Sequence, residues 1–362
     1  MITISIDPHK QSHTAAAVNS QTGEPCDQLT LASDQAGHER LLGWARALGE
    51  ERRFALEDCR HVSGRLEREL LARGEHVVRV PPKLMAGARR AAREFGKSDP
   101  IDALAVARAA LREPNLPVAH LDPEAREIKH LLDHREDLVR ERTASIQRLR
   151  WHLHDVDAGL EPKLRGLRSQ RTRRSLAQRL ARREQTVQVS ICCELLARIS
   201  EISRRECELR AEISRLVCAY CPQLLELPGC GELTAAKLVA EIAGAERFSS
   251  DAQLARHSGC APLPASSGSS RRHRLSRRGN RELNCAFHRI AVTQARIDPD
   301  ARSYLDRKRS EGHSTREALR CLKRHLVRRA WQPLRARAER MDSASLMINS
   351  RKLRPAPAAV LT

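Results

Sequence analysis

Aromatic residues are nearly absent: Phe, Trp and Tyr together make up 2% of the chain. That scarcity argues against nucleic-acid recognition by stacking bases on side-chain rings. Lysine is scarce too, with nine among 65 basic residues, so the positive charge is overwhelmingly arginine. No apolar run is long enough to span a bilayer, and no signal-peptide pattern opens the chain. These absences predict a cytoplasmic protein without a membrane partner. Eleven cysteines are scattered; Cys218 and Cys221 form a CxxC, but no second pair and no HxxxH follows. A zinc site is therefore not expected, and free thiols suit a reducing cytosol.

What the chain does have is positive charge, unevenly spread. The net charge of its 362 residues is +20. Residues 1–118 carry 17 Lys and Arg against 16 Asp and Glu, whereas residues 119–362 carry 48 against 29. An evenly solvated surface does not need that asymmetry; a second half that binds a polyanion does. Arginine forks match phosphate oxygens bidentately.

The first half carries the acids that matter. In Lys97-Ser98-Asp99-Pro100-Ile101-Asp102-Ala103-Leu104, Pro100 fits the first turn of a helix over 100–112. Asp99 and Asp102 are three apart and project from one end of that helix. Asp99 as N-cap with an acid at N3 reads as a capping box. Alternatively, two close carboxylates are neutralised by a cation such as Mg²⁺, which prefers oxygen ligands. The preceding pattern predicts strands over 2–7, 13–19, 28–32, 53–56 and 76–80, with helices over 35–48, 61–73 and 83–94. Asp7 then ends the first strand, and Glu57 and Asp58 follow the fourth. Alternation turns Glu57 and Asp58 to opposite faces. Strand-end carboxylates plus a helix-borne acid pair suit metal-dependent phosphoryl transfer; solvated loop charges are the plainer alternative.

Beyond a short linker at 114–118, apolar stripes over 128–160 and 195–216 predict two long helices, as a helical hairpin or coiled coil used for dimerisation. Between them, residues 163–183 carry eight arginines, read as phosphate contacts rather than a solvated run. Leu227-Pro228-Gly229-Cys230-Gly231 followed by Lys237 fits a helix–hairpin–helix turn, in which Gly229 and Gly231 let the backbone approach a phosphate. Ser266-Ser267-Gly268 precedes Arg271, Arg272, Arg274, Arg277, Arg278, Gly279 and Asn280. That stretch is either a basic linker or a nucleophile loop whose guanidiniums bind phosphate. Helices over 281–295 and 315–340 follow, and 341–362 reads as a disordered tail.

With these residues in view, the chain resembles the DEDD-type insertion-sequence transposases (the IS-one-ten/IS-eleven-eleven family of bridge-RNA-guided serine recombinases) over nearly its whole length. Ile6-Asp7-Pro8-His9-Lys10, Leu56-Glu57-Asp58 and Lys97 through Ala103 match the family's N-terminal motifs in order. Leu227 through Gly231, and Ser267-Gly268 through Asn280, match its C-terminal domain. The resemblance implies an α/β RuvC-like, RNase H-type catalytic domain over 1–118 and a mostly helical transposase domain over 219–340, with the helical coiled-coil region read from the stripes lying between them over 119–218. It implies that Asp7, Glu57, Asp99 and Asp102 hold Mg²⁺, and that Ser267, which precedes the motif glycine, attacks to give a phosphoserine–DNA intermediate; Ser266 is the adjacent alternative. Implied partners are donor and target DNA, a structured guide RNA, and further copies of the chain that complete a composite site. Two other readings remain at this stage: a hydrolytic junction-resolving nuclease using the acids and water, and a non-catalytic nucleic-acid-binding protein.

Overall fold

The computed structural model describes residues 1–85, 98–113, 116–163, 165–264, 273–274, 276 and 279–352. It divides into two units, Met1–Leu121 and Asp122–Thr362.

The first unit is built on five strands: β1 (Ile2–Pro8), β2 (Ser12–Asn19), β3 (Pro25–Ala32), β4 (Arg52–Glu57) and β5 (Val77–Val80). Their order is β3-β2-β1-β4-β5. Short connections make β1–β2 and β2–β3 antiparallel, while β1–β4 and β4–β5 are parallel. The parallel pairs need crossovers, and α1 (Gln35–Leu48) and α2 (Arg60–Ala72) supply them. Alternation assigns the two faces. Ile4, Ile6, Phe54, Leu56 and Val77 share a core with Leu41, Leu42, Leu66 and Leu70 of α1 and α2. Ala55, Val78 and Val80 face the opposite way and share a second core with Ala105, Val106 and Ala109 of α3 (Asp99–Arg112). Five of α3's seven buried residues besides Val106 and Asp102 are alanine, which lets the helix lie close on the sheet.

The expected strands and the helices over 35–48, 61–73 and 100–112 appear within a few residues of their predicted ends. Two details differ. Ser98, not Asp99, is the N-cap of α3, which moves Asp99 into the first turn and Asp102 one place beyond N3. A capping box is thereby excluded, since the carboxylate of Asp99 is not at the cap. The helix expected over 83–94 is described only at 82–85; its remainder lies outside the described residues.

The second unit is helical. α4 (Pro123–Asp157) and α6 (Val187–Tyr220) run antiparallel. Ile128 and Leu132 of α4 share a core with Ile213 and Val217, whereas Leu149 and Leu153 meet Val189, Cys192, Leu196 and Ile199. The two predicted apolar stripes thus cover each other within one chain. Glu206 of α6 takes both Arg135 and Arg142 of α4. The arginine-rich stretch contains α5 (Gln170–Ala181), whose Leu176 and Leu180 close the far end of this pair.

After Tyr220, whose hydroxyl donates to Asp122 Oδ2 at 2.6 Å, the chain builds a larger core. It is formed by α7 (Glu232–Ile242), α8 (Asp251–His257), α9 (Arg281–Ile297), α10 (Pro299–Ser310) and α11 (Thr315–Lys352). The last helix passes the predicted end near 340 and continues to Lys352, so the first part of the expected tail is helical.

Arg79 of β5 and Glu67 of α2 form a buried bidentate pair, with Nε and one terminal nitrogen each donating at 2.6 Å. Removing one partner leaves the other charge buried and uncompensated. Glu67→Ala should therefore cost about 3 kcal/mol or more of stability. A urea-unfolding midpoint unchanged from wild type would contradict that.

Candidate active site at the ends of β1 and β4

The register of two neighbouring strands places the first two acids. Ile6 of β1 pairs with Leu56 of β4, so Asp7 and Glu57, one residue on, sit level at the strand ends. Both are odd-numbered on strands whose odd positions face α3; Arg53, on the same side, donates to Ala110 O of that helix. Asp58 lies at the opposite phase and leaves the set. Asp102 is buried in the first turns of α3, with its N–H bonded to Ser98 O at 3.0 Å. Asp99, one turn earlier, is half-exposed.

The electrostatics register this crowding. Burial pushes the Asp7 carboxyl up to about 6; His9 opposes the rise, and the charges of Glu57 and Asp102, with a hydrogen bond to Glu57, add to it. His9 stands between Asp7 and Asp99: Nδ1 is 3.9 Å from Asp7 Oδ2, and Nε2 is 4.0 Å from Asp99 Oδ1. One donor atom from each of Asp7, His9 and Asp99 falls within 4.8 Å of the others. Among the described residues, no Lys or Arg forms an ion pair with Asp7 or Asp99. Clustered carboxylate oxygens with a histidine at the rim fit a hard divalent ion.

Of the four acids expected from the sequence, Glu57 and Asp102 act on Asp7 through charge, and Asp99 lies with Asp7 and His9. His9 carries no strand signal, because β1 ends at Pro8 and alternation does not extend to it.

The basic candidates fare differently. Ser266, Ser267, Arg271, Arg272, Arg277 and Arg278 lie outside the described residues. Arg274 is exposed and ends a two-residue ladder in which Leu263 pairs with Arg274 and Pro264 with His273. Lys237, expected at nucleic acid, is instead buried, with its ammonium 2.7 Å from Glu136 and 3.0 Å from Glu282. Its charge is neutralised inside the unit. Asn280 is also occupied: its Oδ1 caps α9 at Leu283 N, and its Nδ2 donates to Glu241 Oε2 at 2.6 Å. Gly229 has φ +80°, and a Cβ there would come within 2.9 Å of Thr293. Its smallness serves the contact with α9. Gly231 is the N-cap of α7, with open space beside it.

A mixed sheet with helices on both faces, and acids at the ends of its adjacent parallel strands and on the covering helix, defines a RuvC-like domain of the DEDD transposase class. A family model for DEDD transposases of the IS110 type, described as "Transposase", matches residues 4–156. Another, "Transposase IS116/IS110/IS902 family", matches residues 221–306. The chain is 29% identical to the insertion element IS116 uncharacterized 44.8 kDa protein of Streptomyces clavuligerus, covering 92% of this chain and 94% of that one. It is 26% identical to the insertion element IS900 uncharacterized 42 kDa protein of Mycobacterium paratuberculosis, over 92% and 95% of the two chains. A 33% identity with the insertion element IS110 uncharacterized 43.6 kDa protein of Streptomyces coelicolor is confined to 37% of this chain and 34% of that one. The chain belongs to the IS110 family of insertion-sequence transposases. Among the described residues, no helix is long and apolar enough to cross a membrane.

Because the folded carboxyl of Asp7 titrates near 6 rather than at the ordinary 3.8, the folded state holds a proton that the unfolded chain has released. Stability from this group falls as pH rises from about 4 through about 6, and the penalty, up to about 3 kcal/mol, persists above that. In metal-free buffer at pH 7.5, Asp7→Asn should raise the melting temperature by several degrees and flatten its acid-side dependence. A lower melting temperature would show that the carboxylates are not in mutual conflict.

Proposed function

We propose that this transposase cuts and rejoins DNA strands at a divalent-metal centre on Asp7, Glu57, Asp99 and Asp102, with Ser267 as nucleophile. The observation that carries this reading is the convergence of Asp7, Glu57 and Asp102, with Asp99 joined through His9, at the ends of two parallel strands. Bound Mg²⁺ would supply charge for orienting and activating a scissile phosphate. The acids hold that charge, and His9 bounds the site on its exposed side.

In this reading the Ser267 hydroxyl gives up its proton as its Oγ forms a bond to phosphorus. The phosphorus–oxygen bond to the departing deoxyribose breaks, and that oxygen takes a proton. Rejoining reverses the same exchange with a different strand, so bond energy is conserved in the phosphoserine. Arg271, Arg272, Arg274, Arg277 and Arg278 follow Ser267 in sequence and would offset charge gathering on the phosphate. A homo-oligomer, implied by the family resemblance, would bring acids and serine to one phosphate. Sequence choice by a structured guide RNA suits an Arg-rich chain with 2% aromatic residues, because base pairing rather than side chains would read the target.

The test is covalent trapping. Purified protein is incubated with Mg²⁺, RNA from the element's flanking non-coding DNA, and labelled donor and target DNA, then denatured. A protein–DNA adduct should form, persist in Ser266→Ala and vanish in Ser267→Ala. Asp7→Ala should abolish it while leaving DNA binding intact. Cleavage without any adduct, unaffected by either serine change, would contradict the serine mechanism and favour hydrolysis.

A further inference from the structure

A cavity of about 460 Å³ opens in the second unit between the segment after α8, α10 and the N-terminal half of α11. Five cationic side chains line it, those of Arg274, Lys308, Arg320, Lys323 and Arg324, against the two carboxylates of Glu311 and Glu317. Three cations are partly spent. Lys308 pairs with Glu311 at 2.5 Å, Arg324 with Asp251 at 2.9 Å, and Arg320 more loosely with Glu317 at 3.7 Å. Arg274 and Lys323 have no carboxylate within ion-pair distance among the described residues.

Lys323 is the unusual member. It is 4% exposed, yet among the described residues its ammonium donates to a neutral group, Asn284 Oδ1, at 2.6 Å. Asn284 is itself fixed, since its Nδ2 donates to Ser258 O and Gly259 O at 3.0 Å each. The wall that carries those carbonyls depends on two glycines. Gly259 has φ +66°, and a Cβ on Gly279 would meet Gly259 N at 2.2 Å. The backbone at 258–259 can reach Asn284 only because Gly279 has no side chain. A buried ammonium held in place by a neutral amide is costly unless an anion completes its shell. The ammonium carries three protons, and Asn284 takes one of them. Burial also depresses the lysine's pKa, in keeping with a site that lacks its counter-charge.

We propose that this cavity is a phosphodiester-binding subsite, in which Lys323 and Arg274 hold a backbone phosphate of the DNA strand and Arg320 completes the contact. The chemistry is that of a monoanion in an arginine- and lysine-lined recess, and the cavity has room for the nucleotide that carries it. The subsite lies beside the Leu263–Arg274 ladder that starts and ends the serine-rich segment. The proposal shares with the function above only the premise that DNA is the substrate; it requires neither the serine nor the metal centre.

The experiment is equilibrium binding of a fluorescein-labelled DNA duplex to the full chain in EDTA, repeated across a salt series. Lys323→Met and Arg274→Gln should each weaken binding about tenfold and reduce the slope of log affinity against log salt by about one. Arg274 is exposed, so its variant remains informative even if Lys323→Met fails to fold. Wild-type affinity and slope in Arg274→Gln, or in a folded Lys323→Met, would overturn the proposal. So would variants that lose affinity for a labelled RNA hairpin but keep it for DNA. Because no cleavage is read and no metal is present, failure of the serine or metal chemistry would leave this result unchanged.

Discussion

Mutual repulsion among carboxylates at the ends of β1 and β4 is the constraint on which the first unit turns. Parallel pairing with Ile6 opposite Leu56 makes Asp7 and Glu57 neighbours. The alanine-rich face of α3 lets a third acid, Asp102, reach the same spot under cover. Each step that makes the sheet well packed also brings negative charges closer. Burial is the main cause of the raised pKa of Asp7, and the charges of Glu57 and Asp102 add to it. A fold does not keep such a cluster for stability, since caps and solvated loops satisfy single acids at lower cost. On the proposed reading, a divalent cation is what the cluster is shaped to accept.

The second unit treats charge in the opposite way. Several of its buried or half-buried charges are paired within the fold: Glu206 with Arg135 and Arg142, Glu241 with Lys129, and Lys237 with Glu136 and Glu282. Motif residues that resemble phosphate contacts turn out to build the scaffold. Gly229 admits Thr293, Gly279 admits the backbone at Gly259, and Asn280 caps α9 while binding Glu241. The cations that have no carboxylate partner among the described residues are therefore more informative than the total. Lys323 and Arg274 stand out against a unit that otherwise balances its buried charge.

Much of the first unit was legible in the sequence because its signals are local. Apolar runs marked β1, β2, β4 and β5, and period-two alternation separated Glu57 from Asp58 before any coordinates. His9 lies past the end of β1, and a histidine after a proline in a turn carries no mark of its partners until α3 delivers Asp99. The cap of α3 slipped by one residue because Ser98 and Asp99 are both good caps and only the backbone decides between them. The pairing of Lys237 cannot be read from the sequence for a more general reason: its partners, Glu136 and Glu282, lie about a hundred and about forty-five residues away. Charge in a sequence has no partner; charge in a fold does. The cavity around Lys323 was hidden for the same reason, since its walls come from three separated stretches.

The most direct test of the carboxylate centre is manganese binding to the DNA-free protein, followed by electron paramagnetic resonance of the free ion. If Asp7, Glu57, Asp99 and Asp102 form one cation site, wild-type protein should remove Mn²⁺ from the free-ion signal saturably, and Mg²⁺ should compete. Asp7→Ala and Asp102→Ala should each abolish that binding, while Asp58→Ala should retain it. Equal uptake by all four proteins would contradict a site assembled from these acids.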